Sequence, residues 1–132
     1  MKDRTVVLVF LGGTVGGALR ILIDYWIPSI GSPSWEVPWD VVAINVLGSA
    51  LLGALNGWAL VMGRAWWFPM VGTGVLGGFT TFSAIAALPW AADTGLIQGA
   101  VVLGGTMLVS VVAAAAGWRW GVRRADAVEA TA

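Results

Sequence analysis

A chain of 132 residues that is 58% hydrophobic and only 11% charged is far more apolar than a soluble domain, in which about a quarter of residues are charged. It has no cysteine and no histidine, which removes disulfide frameworks, thiolate or imidazole metal sites and Ser/His or Cys/His nucleophiles, and with them most enzyme chemistry. Seven basic and seven acidic residues give a formal net charge of zero, which calls for no nucleic-acid partner. A lipid bilayer is the simplest partner for such a surface, and residues 1–132 suit a single unit of four spans of about 20 residues each.

The first span covers about residues 5–27. Lys2 and Arg4 before an apolar run resemble the opening of a signal peptide, but three further spans follow, so the segment is read as retained. Arg20 and Asp24 are four residues apart on one helix face, where opposite charges partly neutralise each other. A loop from Pro28 to Asp40 carries Pro28, Gly31, Pro33 and Pro38. The second span, about residues 41–63, has no charge, and Arg64 is the charged stop before the third.

The third apolar stretch, Ala65 to Ala92, contains 28 uncharged residues. As a straight helix it would be about 42 Å long, against about 30 Å of hydrocarbon, so the span placed at about residues 67–90 must tilt or break. Gly72, Gly74, Gly77 and Gly78, followed by Thr80 and Thr81, favour a break near its middle, since Gly costs about 1 kcal/mol relative to Ala in a helix interior. Backbone groups freed at that depth need protein or a water-filled cavity to satisfy them. The fourth span, about residues 94–118, ends in the basic tail Arg119, Arg123 and Arg124.

Glycines recur at four-residue spacing: Gly12 with Gly16, Gly13 with Gly17, Gly53 with Gly57, Gly74 with Gly78, and Gly95 with Gly99. Such spacing lets helix backbones approach closely, and ordinary packing of a compact bundle accounts for most of it.

Four spans place both termini and the Arg64 loop on one side of the membrane, with Lys2, Arg4, Arg64, Arg119, Arg123 and Arg124. The opposite loops hold no Lys or Arg. Six against none, leaving out the embedded Arg20, puts both termini in the cytoplasm by the positive-inside rule, in a multi-pass protein of the inner (cytoplasmic) membrane. Trp26, Trp35, Trp39 and Trp90 then form an outer interfacial belt, and Trp58, Trp66, Trp67, Trp118 and Trp120 an inner one.

Polar side chains within the spans are the functional candidates: Arg20 and Asp24 in the first, Asn45, Ser49 and Asn56 in the second, Thr73, Thr80, Thr81 and Ser83 in the third, Gln98, Thr106 and Ser110 in the fourth. Nearly all are neutral donors. No acidic residue sits near the middle of a span, which argues against proton-coupled transport and points to an anion, whose hydration Asn, Ser and Thr can replace. Thr106 and Ser110, four apart, form a short polar track, though interhelical bonding or back-bonding to the preceding turn explains them equally well. Phe82 and Ile85 share a face after the proposed break, and the electropositive edge of a Phe ring can face an anion.

Three stretches together resemble the Fluc (also called CrcB) family of fluoride channels: Gly12-Gly13-Thr14-Val15-Gly16-Gly17-Ala18-Leu19-Arg20, Asn45-Val46-Leu47-Gly48-Ser49, and Gly74-Val75-Leu76-Gly77-Gly78-Phe79-Thr80-Thr81-Phe82-Ser83. They cover three of the four spans in the family's order. The resemblance implies an all-α membrane protein of four transmembrane helices, the third broken near its middle, forming an antiparallel dimer with two narrow fluoride pathways. It implies pore positions for Asn45 and Phe82, hydroxyls of Thr81 and Ser83 beside the pathway, and a vestibule made attractive to anions by Arg20. It also implies a structural sodium ion held by backbone carbonyls of Gly77 and Thr80, shared between subunits.

One departure bears on assembly. The family motif continues TTFSTF, whereas this chain reads TTFSAI, with Ala84 and Ile85 in place of a Thr and a second pore-facing Phe. A dual-topology homodimer should also show little Lys/Arg asymmetry. Both features favour a heterodimer of oppositely oriented subunits over a homodimer. The function implied is passive fluoride export that lowers cytoplasmic fluoride, with no enzyme activity. The alternatives are a small multidrug-type cation exporter, for which Asp24 is the nearest carboxylate, and a non-conducting partner subunit of a fluoride channel.

Overall fold

In a computed structural model of the chain, residues 2–26, 39–80 and 96–131 are described. Every regular element among them is a helix. The first, α1, is Lys2–Trp26, and α2 is Trp39–Met62. The third, α3, is π-helical over Pro69–Leu76 and α-helical over Gly77–Phe79, and α4 is Leu96–Glu129. Helices α1, α2 and α4 are each long and apolar enough to cross a bilayer, so this is a multi-pass membrane protein. The expected continuation of the third span, with Thr81, Phe82, Ser83, Ala84 and Ile85, lies outside the described residues, as do the loop before Trp39 and Gly95.

Helix ends follow local chemistry. Gly63, at φ 82°, stops α2 in the left-handed conformation that glycine adopts without a Cβ penalty. The chain then turns through a bond from the Phe68 amide to the Ala65 carbonyl (3.0 Å) and enters α3 at Pro69. A proline at that first position loses no hydrogen bond, because the opening amides of a helix have no partner. At the other end Thr80 is extended (φ −80°, ψ 145°). Its amide (3.0 Å) and its hydroxyl (2.9 Å) both donate to the Leu76 carbonyl. The helical ladder therefore ends at the glycine-threonine stretch, and the expected break, which needs a continuation beyond Thr80, falls partly outside the described residues.

The last helix continues beyond residue 118, where the fourth span is expected to end. Helix α4 runs 34 residues, about 51 Å, straight through Arg119, Arg123 and Arg124 to Glu129. Charge ends a membrane span but not a helix: Arg, Ala and Glu are good helix formers. Gly121 and Ala125 also remain buried, Ala125 fully so, which keeps this part of the helix packed.

The helices associate as two pairs joined backbone to backbone. In the α1–α3 pair a Cβ at Gly12 would strike the Met70 carbonyl and at Gly16 the Val75 carbonyl, while one at Gly78 would lie 2.7 Å from the Gly13 carbonyl. In the α2–α4 pair a Cβ at Gly53 would strike the carbonyl of Ala114, at Gly57 that of Trp118, at Gly117 that of Ala50, and at Gly121 that of Ala54. Contacts about one turn apart rise together, from Gly12 with Met70 to Gly16 with Val75 in one pair, and from Gly53 with Ala114 to Gly57 with Trp118 and from Ala50 with Gly117 to Ala54 with Gly121 in the other, so α1 runs parallel to α3, and α2 parallel to α4. Between the pairs the order reverses: Gly72 faces Leu55 and Thr80 faces Gly48, so α2 and α3 are antiparallel. Close approach without an apolar solvent contrast relies on such small-residue packing.

The interior is correspondingly thin. Buried apolar side chains include Ile44, Phe68 and Leu76, whereas Phe10 is 72% and Ile97 81% exposed. Exposed apolar surface of this extent belongs against lipid or another subunit.

Candidate functional site

The three motif stretches lie together. Gly12 and Gly16 of the first pack on the α3 backbone that leads into Gly77 and Gly78 of the third, and Gly48 of the second sits beside Thr80, whose methyl would block any Cβ there. The end of α3 at Phe79 is thereby held from two sides, by α1 and by α2.

Asn45 lies one turn before that contact and is only 7% exposed. Its Nδ2 donates to the Val41 carbonyl at 2.8 Å. On α4, Thr106 is 4% exposed and its hydroxyl donates to the Val102 carbonyl at 2.7 Å. A hydroxyl has one proton, so this one is spent within its own helix. The Ser110 hydroxyl is buried and has no hydrogen-bond partner among the described residues. Of the two members of the expected polar track, Ser110 is the one with a proton to give.

Helix register relates these groups. Gly53 meets Ala114; one turn earlier on each helix come Ser49 and Ser110, and one turn before that Asn45 and Thr106. Asn45 and Ser49 on α2, and Thr106 and Ser110 on α4, thus lie on the stretches that lead into this contact. Ser49 and Asn56 open onto a cleft of about 400 Å³ with Leu52, Gly53, Ala114 and Trp118. Asn56 donates to the Leu52 carbonyl at 2.8 Å. The sequence marked Ser49 and Asn56 as polar residues within a span, but only the register of α2 on α4 shows what they line. The small residues Gly117 and Gly121, four apart like the others, would have signalled it.

Arg20 is half-buried and lies in the other pair, on α1 one turn beyond Gly16. Gly77 is exposed, with nothing within 4 Å of a Cβ position, at the end of α3 where Thr80 leaves the helix. Thr81, Phe82 and Ser83 lie outside the described residues.

The profile of the family described as CrcB-like protein, Camphor Resistance (CrcB), matches residues 7–118. The chain belongs to this family. Among CrcB-like relatives, the Fluoride-specific ion channel FluC of Erythrobacter litoralis is 42% identical over 87 residues, covering 62% of this chain and 64% of that protein. FluC 2 of Corynebacterium jeikeium is 35% identical over 139 residues, covering 88% of this chain and 78% of the relative. FluC 1 of Symbiobacterium thermophilum is 45% identical over 82 residues, covering 58% and 63%. This CrcB-like chain therefore spans a little under two thirds of the Erythrobacter and Symbiobacterium proteins and more than three quarters of the Corynebacterium one.

Proposed function

We propose that the chain is one subunit of a fluoride-selective channel that carries fluoride passively out of the cytoplasm. The observation that supports this most is the set of neutral polar groups buried on the packed helices α2 and α4. They are Asn45, Thr106 and the Ser110 hydroxyl, none of them charged, and the last has no hydrogen-bond partner among the described residues. Uncharged donors fixed in a water-poor setting replace the hydration of a small anion without trapping it as a buried cation would. The relatives' name, fluoride-specific ion channel, agrees with that chemistry.

In this reading Asn45, Ser110 and Thr106 face the pathway, together with Thr81, Phe82 and Ser83, and Arg20 raises the anion concentration at its mouth. Thr106 joins only by giving up its bond to Val102, so Ser110 is the first donor an anion meets on α4.

The residues around the α3 break also fit a structural sodium ion. The last carbonyls of a helix have no partner within it, Gly77 has open space beside it, and Thr80 is already extended. Carbonyl oxygens suit a hard cation. The carbonyls of Gly77 and Thr80 would hold the ion, whose charge would fix the break and tie the subunit to its partner.

The assembly we favour is an antiparallel dimer in the cytoplasmic membrane, with both termini of this subunit inside. A second, oppositely oriented homologous subunit supplies the Phe that Ile85 lacks. Reconstitution in liposomes tests both points: fluoride efflux with chloride excluded is expected, and strongly only when the second subunit is present. Comparable chloride flux would end the fluoride reading, and full fluoride flux from this chain alone would end the heterodimer.

A further inference from the structure

Arg4, in the first turn of α1, and Arg64, in the connection after α2, lie at the same end of the molecule, where one span begins and another stops. The Arg4 guanidinium is 5.6 Å from the centre of the Trp66 ring, and that of Arg64 is 5.0 Å from the centre of Phe68. Among the described residues neither has a carboxylate partner. Both line a pocket of about 550 Å³ between the start of α1 and the start of α3, whose inner wall is formed by Leu8, Val9 and Phe68. Stacking on a ring orients a guanidinium and leaves its N–H edge for an oxyanion.

The pocket therefore has a doubly positive rim at the level of the membrane interface and an apolar wall running along α1 and α3 toward the hydrocarbon. A free inorganic anion has no use for that wall, and a neutral lipid has none for that rim. We propose that this pocket binds an anionic phospholipid, its phosphate at Arg4 and Arg64 and an acyl chain along Leu8, Val9 and Phe68. Basic pockets between transmembrane helices are suited to such headgroups, and each arginine near an anionic surface contributes about 1 kcal/mol, so two give a preference of roughly thirtyfold over a zwitterionic lipid. The site is independent of the ion pathway and of what that pathway conducts.

The test is native mass spectrometry of the full chain, in its own oligomeric state, released from micelles holding equal amounts of phosphatidylglycerol and phosphatidylcholine. Retention of one phosphatidylglycerol per chain, preferred roughly thirtyfold, is expected. Arg4→Gln with Arg64→Gln should bring the preference close to parity, whereas Arg119→Gln with Arg123→Gln, an equal loss of charge on the α4 tail, should leave it. Leu8→Trp, which fills the apolar wall and keeps both charges, should lower retention at least tenfold. This variant and the wild-type lipid comparison decide the matter even where the double arginine variant does not fold. Equal retention of the two lipids, equal loss from the tail variant, displacement by millimolar inorganic phosphate, or a pocket closed by subunit contact so that no lipid is retained would each overturn the proposal.

Discussion

Replacing Ser110 by Ala separates a conducting role from a structural one, because the two predict opposite signs. The Ser110 hydroxyl is buried without a partner among the described residues. Leaving such a group unpaired costs about 1–3 kcal/mol, so deleting it should leave the folded protein unchanged or up to about 1–2 kcal/mol more stable. Conduction should move the other way. A hydrogen bond to a charged group is worth about 1.5–3 kcal/mol, and its loss at the highest barrier of the pathway corresponds to a roughly ten- to hundredfold slower flux. Thr106→Val is the control: its proton already goes to the Val102 carbonyl, so flux should change by less than about threefold and stability by about 1 kcal/mol or less. The assays are thermal unfolding in detergent and fluoride release from liposomes, measured with a fluoride electrode on the assembled channel. If Ser110→Ala unfolds at a clearly lower temperature and loses flux in proportion, the hydroxyl is a helix-packing group and is not part of a pathway.

Neighbouring glycines should respond oppositely to one methyl group. Gly12→Ala drives a Cβ into the Met70 carbonyl and should destabilise the α1–α3 pair by about 1–3 kcal/mol, whereas Gly13→Ala meets open space and should be neutral or stabilising by up to about 1 kcal/mol, both read by thermal unfolding. Exchanging sodium for a large organic cation throughout purification should lower the melting temperature and stop flux if Gly77 and Thr80 hold a structural ion; identical behaviour in both media would remove sodium from the account. The chain has no cysteine, so Thr131→Cys gives a single reporter: an impermeant thiol reagent should label it in lysed but not in intact cells, and labelling of intact cells would invert the proposed orientation.

What was legible in the sequence was mostly what the bilayer dictates. Long uncharged runs gave α1, α2 and α4 because no other structure satisfies backbone groups in hydrocarbon. The Gly77–Thr80 stretch gave the end of α3 because glycine weakens the ladder there and the Thr80 hydroxyl competes for the Leu76 carbonyl. The end of α4 was not legible, since hydropathy reports where lipid stops and not where hydrogen bonding stops. The pairing was half visible: glycines at four-residue spacing mark a close contact but do not name its partner. Gly12 and Gly16 could have met any helix, and only the folded structure joins them to α3. The difference between Thr106 and Ser110 was also hidden, because whether a hydroxyl back-bonds depends on its rotamer and surroundings, which spacing does not encode.

The two parallel pairs divide the work of the site. In the α1–α3 pair, glycines bring backbone onto backbone, which leaves little freedom at the point where α3 ends and carbonyls are released. In the α2–α4 pair, the same packing at Gly53, Gly57, Gly117 and Gly121 fixes the two helices that carry Asn45 and Ser49 on one side and Thr106 and Ser110 on the other. Gly48 against Thr80 links one pair to the other, so a cation fixed at the end of α3 would also position the donors on α2. Donors held this way need not reorganise when an ion sheds its water, and for a strongly hydrated anion that saving is the difference between a pathway and a barrier. Of the contacts described, Gly48 with Thr80 is therefore the one whose enlargement should reduce conduction most for the least change in either helix pair.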